Sequence, residues 1–99
     1  MSYMKQIITV PHKDRINLSD VEVKMRNARQ SNDYILIYFG KKGEWIKIAF
    51  CRDQTYVIGY NFMNIEFITK LRYMMNQYPK TQVGKLSAWL TDWVNKLNR

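Results

Sequence analysis

Residues 34–60 read YILIYFGKKGEWIKIAFCRDQTYVIGY, and the fold follows from this stretch. Tyr34–Phe39 is apolar or aromatic at every position, as expected for a central strand covered on both faces. Gly40-Lys41-Lys42-Gly43 is a hairpin signal, because glycine tolerates positive φ. Trp45–Phe50 alternates: Ile46, Ile48 and Phe50 point one way, with Trp45, Lys47 and Ala49 opposite. Cys51–Thr55 reads as the next turn. Tyr56–Tyr60 reads as a third strand, in which Gly59 interrupts the side-chain row and permits close approach. The three strands predict an antiparallel meander.

Upstream, Tyr3–Val10 is strand-like and stops at Pro11, which lacks a ladder donor. A polar loop, Lys13–Asn17, precedes a helix that Ser19 opens by a capping box with Glu22. Val21, Met25 and Ala28 share one face of it, and Ser31-Asn32-Asp33 ends it. Downstream, Ile65, Phe67, Ile68, Leu71, Met74 and Met75 keep a helical period up to Tyr78-Pro79. The period resumes in Val83, Leu86, Trp89, Leu90, Trp93, Val94 and Leu97, with Gly84 weakening the first turn. The predicted order is β-α-β-β-β-α-α. That is an α+β fold, with an antiparallel meander packed by helices on one face. The 99 residues suit one domain, 1–99, and show no internal repeat or flexible linker.

Charge narrows the function. Sixteen Lys and Arg against eight Asp and Glu leave +8, which favours an anionic partner. Residues 1–60 hold ten basic and six acidic groups, and residues 61–99 hold six and two, so each part is +4. A basic tail is thereby excluded, and any basic surface is assembled by folding. Cys51 is the single cysteine and His12 the single histidine. An intramolecular disulfide, a multi-cysteine zinc site and a Ser-His-Asp triad are all disfavoured. No glycine-rich phosphate loop is present, because Gly40-x-x-Gly43 joins strands and opens no helix. The expectation is no catalytic residue set, no metal and no cofactor. Met1–Val10 already alternates with Lys5, Gln6 and Thr9, so no secretory leader is predicted. No apolar run approaches the ~20 residues of a spanning helix. A cytoplasmic protein of a cell, phage or virus, without a membrane partner, is the expectation.

Fourteen aromatics interleave with the cations. Exposed rings that stack on bases, with cations tracking phosphates, hold single-stranded nucleic acid without a sequence code. The candidate contacts are Lys41, Lys42, Lys47, Arg52, Lys70 and Arg72 for phosphates, and Trp45 and Tyr56 for stacking. Phe39, Phe50, Phe67, Trp89 and Trp93 are expected in the core, the two tryptophans docking on the sheet or, alternatively, forming a homodimer interface. The leading expectation is a basic module for RNA or single-stranded DNA, without catalysis. The alternative is a phage- or virus-type regulator that binds an acidic surface of a host protein.

Tyr34–Tyr60, with the strand and helix before it, resembles the N-terminal part of ribosome-inactivating proteins, the rRNA N-glycosidases. That family runs an aromatic-aliphatic strand, a glycine hairpin, an aliphatic strand, then Tyr-Val-x-Gly-Tyr, here Tyr56–Tyr60. The resemblance spans residues 3–60. It implies the strand-helix-meander order, an RNA partner, and a base-stacking role for Tyr56, with Gly59 and Tyr60 structural. The family's Glu-x-x-Arg pair has no counterpart, since Thr69 lies three residues after Glu66 and Arg72 six after it. A minimal N-glycosidase is therefore the least favoured of the three expectations.

Overall fold

A computed structural model describes residues 6–10, 15–40, 43–61, 64–78 and 82–97, apart from the side chains of 57 and 58. Its elements are β1 (Gln6–Val10), α1 (Leu18–Gln30), β2 (Tyr34–Phe39), β3 (Glu44–Cys51), β4 (Gln54–Asn61), α2 (Ile65–Gln77) and α3 (Val83–Leu97). The predicted order and the α+β class hold. The proposed strand start at Tyr3, Pro11, His12 and the Lys41-Lys42 tip lie outside the described residues.

The four strands lie in the order β1-β2-β3-β4. β2, β3 and β4 form the antiparallel meander. β1 pairs parallel to β2, from Gln6↔Ile35 to Val10↔Phe39, so the sheet is mixed. The cause is α1, which carries the chain back and returns β2 in the direction of β1. Gly40 and Gly43 take φ of +44° and +63° at the ends of the first hairpin. The second turn is tighter than Cys51–Thr55. Cys51 already pairs with Gln54, leaving only Arg52-Asp53 between the strands. Arg52 adopts φ +55° there, and its N–H donates to Asn32 Oδ1 at 3.2 Å. An arginine in the left-handed region is uncommon, which is why the sequence gives no short-turn signal.

Between the Lys47↔Gly59 and Ile48↔Val57 pairs, β4 holds one extra residue, a bulge. Beside it, a Cβ on Gly59 would lie 3.1 Å from two ring atoms of Trp45. The indole thus covers the bare backbone, the close approach expected of this glycine.

Helix starts differ from expectation in one place. Asn17, not Ser19, caps α1: its Oδ1 accepts from the Ser19 N–H at 2.8 Å and the Asp20 N–H at 3.4 Å. Helical geometry begins at Leu18, so Ser19 is already inside the first turn and its hydroxyl donates to Asn17 Oδ1. Glu22 turns forward to Arg26 at 3.3 Å instead of back to Ser19. Asn64 caps α2 by accepting from the Phe67 N–H at 2.9 Å. Tyr78 ends it in an extended conformation, as a residue before proline prefers.

One hydrophobic core fills the space between the sheet and the helices. Ile35, Ile37, Ile46, Ile48 and Phe50 enter it from the sheet, and Val21, Met25 and Ala28 from α1, as the periodicity predicts. α3 packs on α1 through small residues. Ser87 Oγ donates to Val83 O at 2.8 Å and sits 3.1 Å from Met25 Sδ. At Gly84, the Glu22 and Arg26 side chains occupy the space beside the absent Cβ. The glycine that weakens the turn lets the helices meet.

Asn95 pins the far end of this contact. Its Oδ1 accepts from the Ile16 N–H at 2.7 Å, and its Nδ2 donates to Ile16 O at 3.1 Å. Asn95 is buried, so Asn95→Leu strands two backbone groups. The expected loss is about 1–3 kcal/mol, read as a lower urea midpoint at unchanged slope. A midpoint equal to that of the parent protein would show that water replaces the amide at no cost.

Phe39, Phe50 and Phe67 are buried as expected. Trp89 and Trp93 are not fully buried and do not form the sheet-docking face. Val83, Leu86, Leu90 and Val94 are the buried apolar residues of α3, and the tryptophans occupy its flank against α2. There they cover Phe67, with ring centroids 5.8 Å and 5.7 Å away.

Candidate nucleic-acid interface

Strand geometry sends alternate side chains to opposite faces. With the isoleucines of β2 and β3 directed to the helices, the other face presents three cross-strand rows. The first is Tyr34–Ala49–Tyr56. The second is Ile7–Leu36–Lys47–Gly59, and the third is Thr9–Tyr38–Trp45–Asn61. No carboxylate occurs in these rows. No described element covers them, because all three helices contribute to the single core on the other side.

The rows combine rings with a cation. Lys47 Nζ stands 4.0 Å from the centre of the Tyr34 ring, a distance typical of cation–π attraction. Trp45 packs its ring against Gly59. Tyr38 and Tyr56 are 39% and 44% exposed. Among the described residues β2 is therefore open on one face, not covered on both as its composition suggested. Tyr34 and Tyr38 were missed for that reason. The signal was present: tyrosines occupy one parity of the strand, and isoleucines with Phe39 the other.

Of the eight candidate residues, Trp45, Lys47 and Tyr56 come together on this face. Arg52 stands in the turn beyond the Tyr34–Ala49–Tyr56 row. Lys41 and Lys42 lie outside the described residues. Arg72 projects from α2 towards β4, its guanidinium 5.6 Å from the centre of the Tyr60 ring. Lys70 is in the helical layer instead. It pairs with Glu66 at 3.2 Å and lies 5.0 Å from the Trp93 ring centre, away from the open sheet face.

Every carboxylate of the helices pairs within its own helix. Asp20–Lys24, Glu22–Arg26, Glu66–Lys70 and Asp92–Lys96 are all i,i+4 pairs with the acid first, the favourable orientation. These exposed pairs add little stability, but they take up half of the eight carboxylates. Lys47, Arg52 and Arg72 form no ion pair among the described residues. Lys47 is therefore the one charged residue in the three rows, with no ion-pair partner among the described residues.

No group of three or more potential metal ligands occurs among the described residues, and none of their helices is long and apolar enough to cross a membrane. No protein-family model matches the chain, and neither curated proteins nor solved structures give a match.

Proposed function

We propose that the chain is a binding module for single-stranded RNA or DNA, and that the uncovered sheet face is its interface. The observation that carries this is the acid-free arrangement of Tyr34, Tyr38, Trp45 and Tyr56 around Lys47 on one open surface. Four strands span about 15 Å, enough for two or three bases stacked on rings. Binding without hydrolysis is favoured because Glu66 and Arg72 stand six residues apart and do not reproduce the Glu-x-x-Arg spacing of the N-glycosidases.

The test is fluorescence anisotropy with unstructured oligonucleotides across a salt series. Affinity should fall linearly in log K against log salt, because phosphate neutralisation releases counterions. Lys47→Ala should flatten that slope by about 0.7, the share of one phosphate contact on a single strand. Absence of binding at low salt would remove the proposal. Capture of an acidic protein that survives nuclease treatment would then favour the regulator reading.

A further inference from the structure

Between β4 and α2 lies an open cavity of about 250 Å³, lined by Thr55, Tyr56, Arg72, Met75 and Asn76. Its chemistry differs from that of the sheet face. Arg72 brings a guanidinium with no ion-pair partner among the described residues, kept beside β4 by the Tyr60 ring. Asn76 follows it by four residues, so its amide is on the same side of α2. Thr55 brings a hydroxyl that is buried with no hydrogen-bond partner, on a residue only 8% exposed. Native proteins rarely leave such a group unsatisfied; Thr91 Oγ1 is in the same state but does not line this cavity, so Thr55 is the one of the two within reach of a ligand there. No carboxylate lines the cavity.

A guanidinium, an amide and a hydroxyl together make a donor set for an oxyanion with several terminal oxygens. The guanidinium fork matches phosphate geometry in particular. Tyr56 links this cavity to the proposed interface, since it lines the one and belongs to a row of the other. We infer that the cavity is a phosphate-monoester subsite that takes the terminal phosphate of a nucleotide, or of a strand lying across the sheet. The choice of a nucleotide over other phosphates rests on the reading of the sheet face. In the bound state a phosphate oxygen accepts from Arg72, another from the Asn76 amide. Thr55 joins by rotation about χ1, because its oxygen is enclosed in the unliganded arrangement.

The full chain is titrated with uridine 5′-monophosphate, uridine and inorganic phosphate, and backbone amide shifts are followed by NMR. The monophosphate should move the Thr55, Tyr56 and Asn76 amides and bind at least about tenfold more tightly than uridine. Inorganic phosphate should move the same amides more weakly. Arg72→Gln, at an exposed position, should remove about tenfold or more of the affinity. Thr55→Val should weaken binding several-fold while leaving thermal stability equal or higher, a split that a purely structural threonine would not produce. Equal affinities for uridine and its monophosphate overturn the assignment. So do shifts confined to Tyr38, Trp45 and Lys47, or an unchanged Arg72→Gln. Inorganic phosphate binding as tightly as the monophosphate overturns the nucleotide. An oligonucleotide without a terminal phosphate reports on the sheet face separately. If it fails to bind while the monophosphate still does, the cavity stands and the sheet reading falls.

Discussion

Trp45→Ala is expected to weaken binding of single-stranded RNA by roughly 5- to 100-fold at low salt, the loss of one base–aromatic stack. The reason is position more than residue type. Trp45 shares its row with Tyr38, lies two residues from Lys47 on the same face, and packs its ring into the space left by the missing side chain of Gly59. A ring already fixed in place loses little conformational freedom when a base stacks on it. The substitution also uncovers Gly59, so a thermal melt must accompany the binding curve. Tyr38→Ala gives an independent reading in the same row. Tyr73→Ala is the control, a 61% exposed ring on α2, in the other layer. Binding should be unchanged there. Equal losses from Tyr73→Ala and Trp45→Ala would mean that the sheet face has no special part in binding.

Much of the scaffold behind that prediction was legible in the sequence. Ile46, Ile48 and Phe50 alternate with Trp45, Lys47 and Ala49, and a two-residue period fixes which set enters the core. Pro79 and the gap before Val83 separate the last two helices in the same way. Other features depend on what meets what in three dimensions. An all-apolar strand such as Tyr34–Phe39 does not state whether helices cover one face or two. That is decided when α1, α2 and α3 all settle on the same side. The cap of α1 went to Asn17 because asparagine and serine stood two residues apart and both can accept from the first turn. Lys70 could have been assigned to the helical layer from its i+4 spacing to Glu66. The Arg72–Asn76–Thr55 cavity could not. It exists only where α2 meets β4, with Thr55 and Arg72 seventeen positions apart in the chain.

Phe67→Ala is expected to be the most damaging single substitution in the helical layer, at about 3–5 kcal/mol. Phe67 is completely buried, one residue before Ile68 and four before Leu71, both also in the core. Its ring stacks on Trp89 within 1° of parallel and meets Trp93 at 41°, so it joins α2 to the flank of α3. Trp89 and Trp93 also touch each other, with centroids 5.9 Å apart, and Lys70 lies near the outer ring. Truncation to alanine removes the shared partner of both indoles and leaves a cavity that α2 cannot close, because Phe50 and the other core residues are themselves fixed by the sheet. Domains of this size hold about 5–15 kcal/mol in total, so the variant should sit near its folding threshold. The melting temperature should fall on the order of 20 °C. Tryptophan emission should shift to the red in the folded state, as both indoles gain water. Phe67→Leu preserves most of the volume and loses the stacking, and should cost markedly less. A melting temperature for Phe67→Ala within a few degrees of the parent would show that α3 is held by α1, through Gly84 and Ser87, and by the segment before α1, through Asn95.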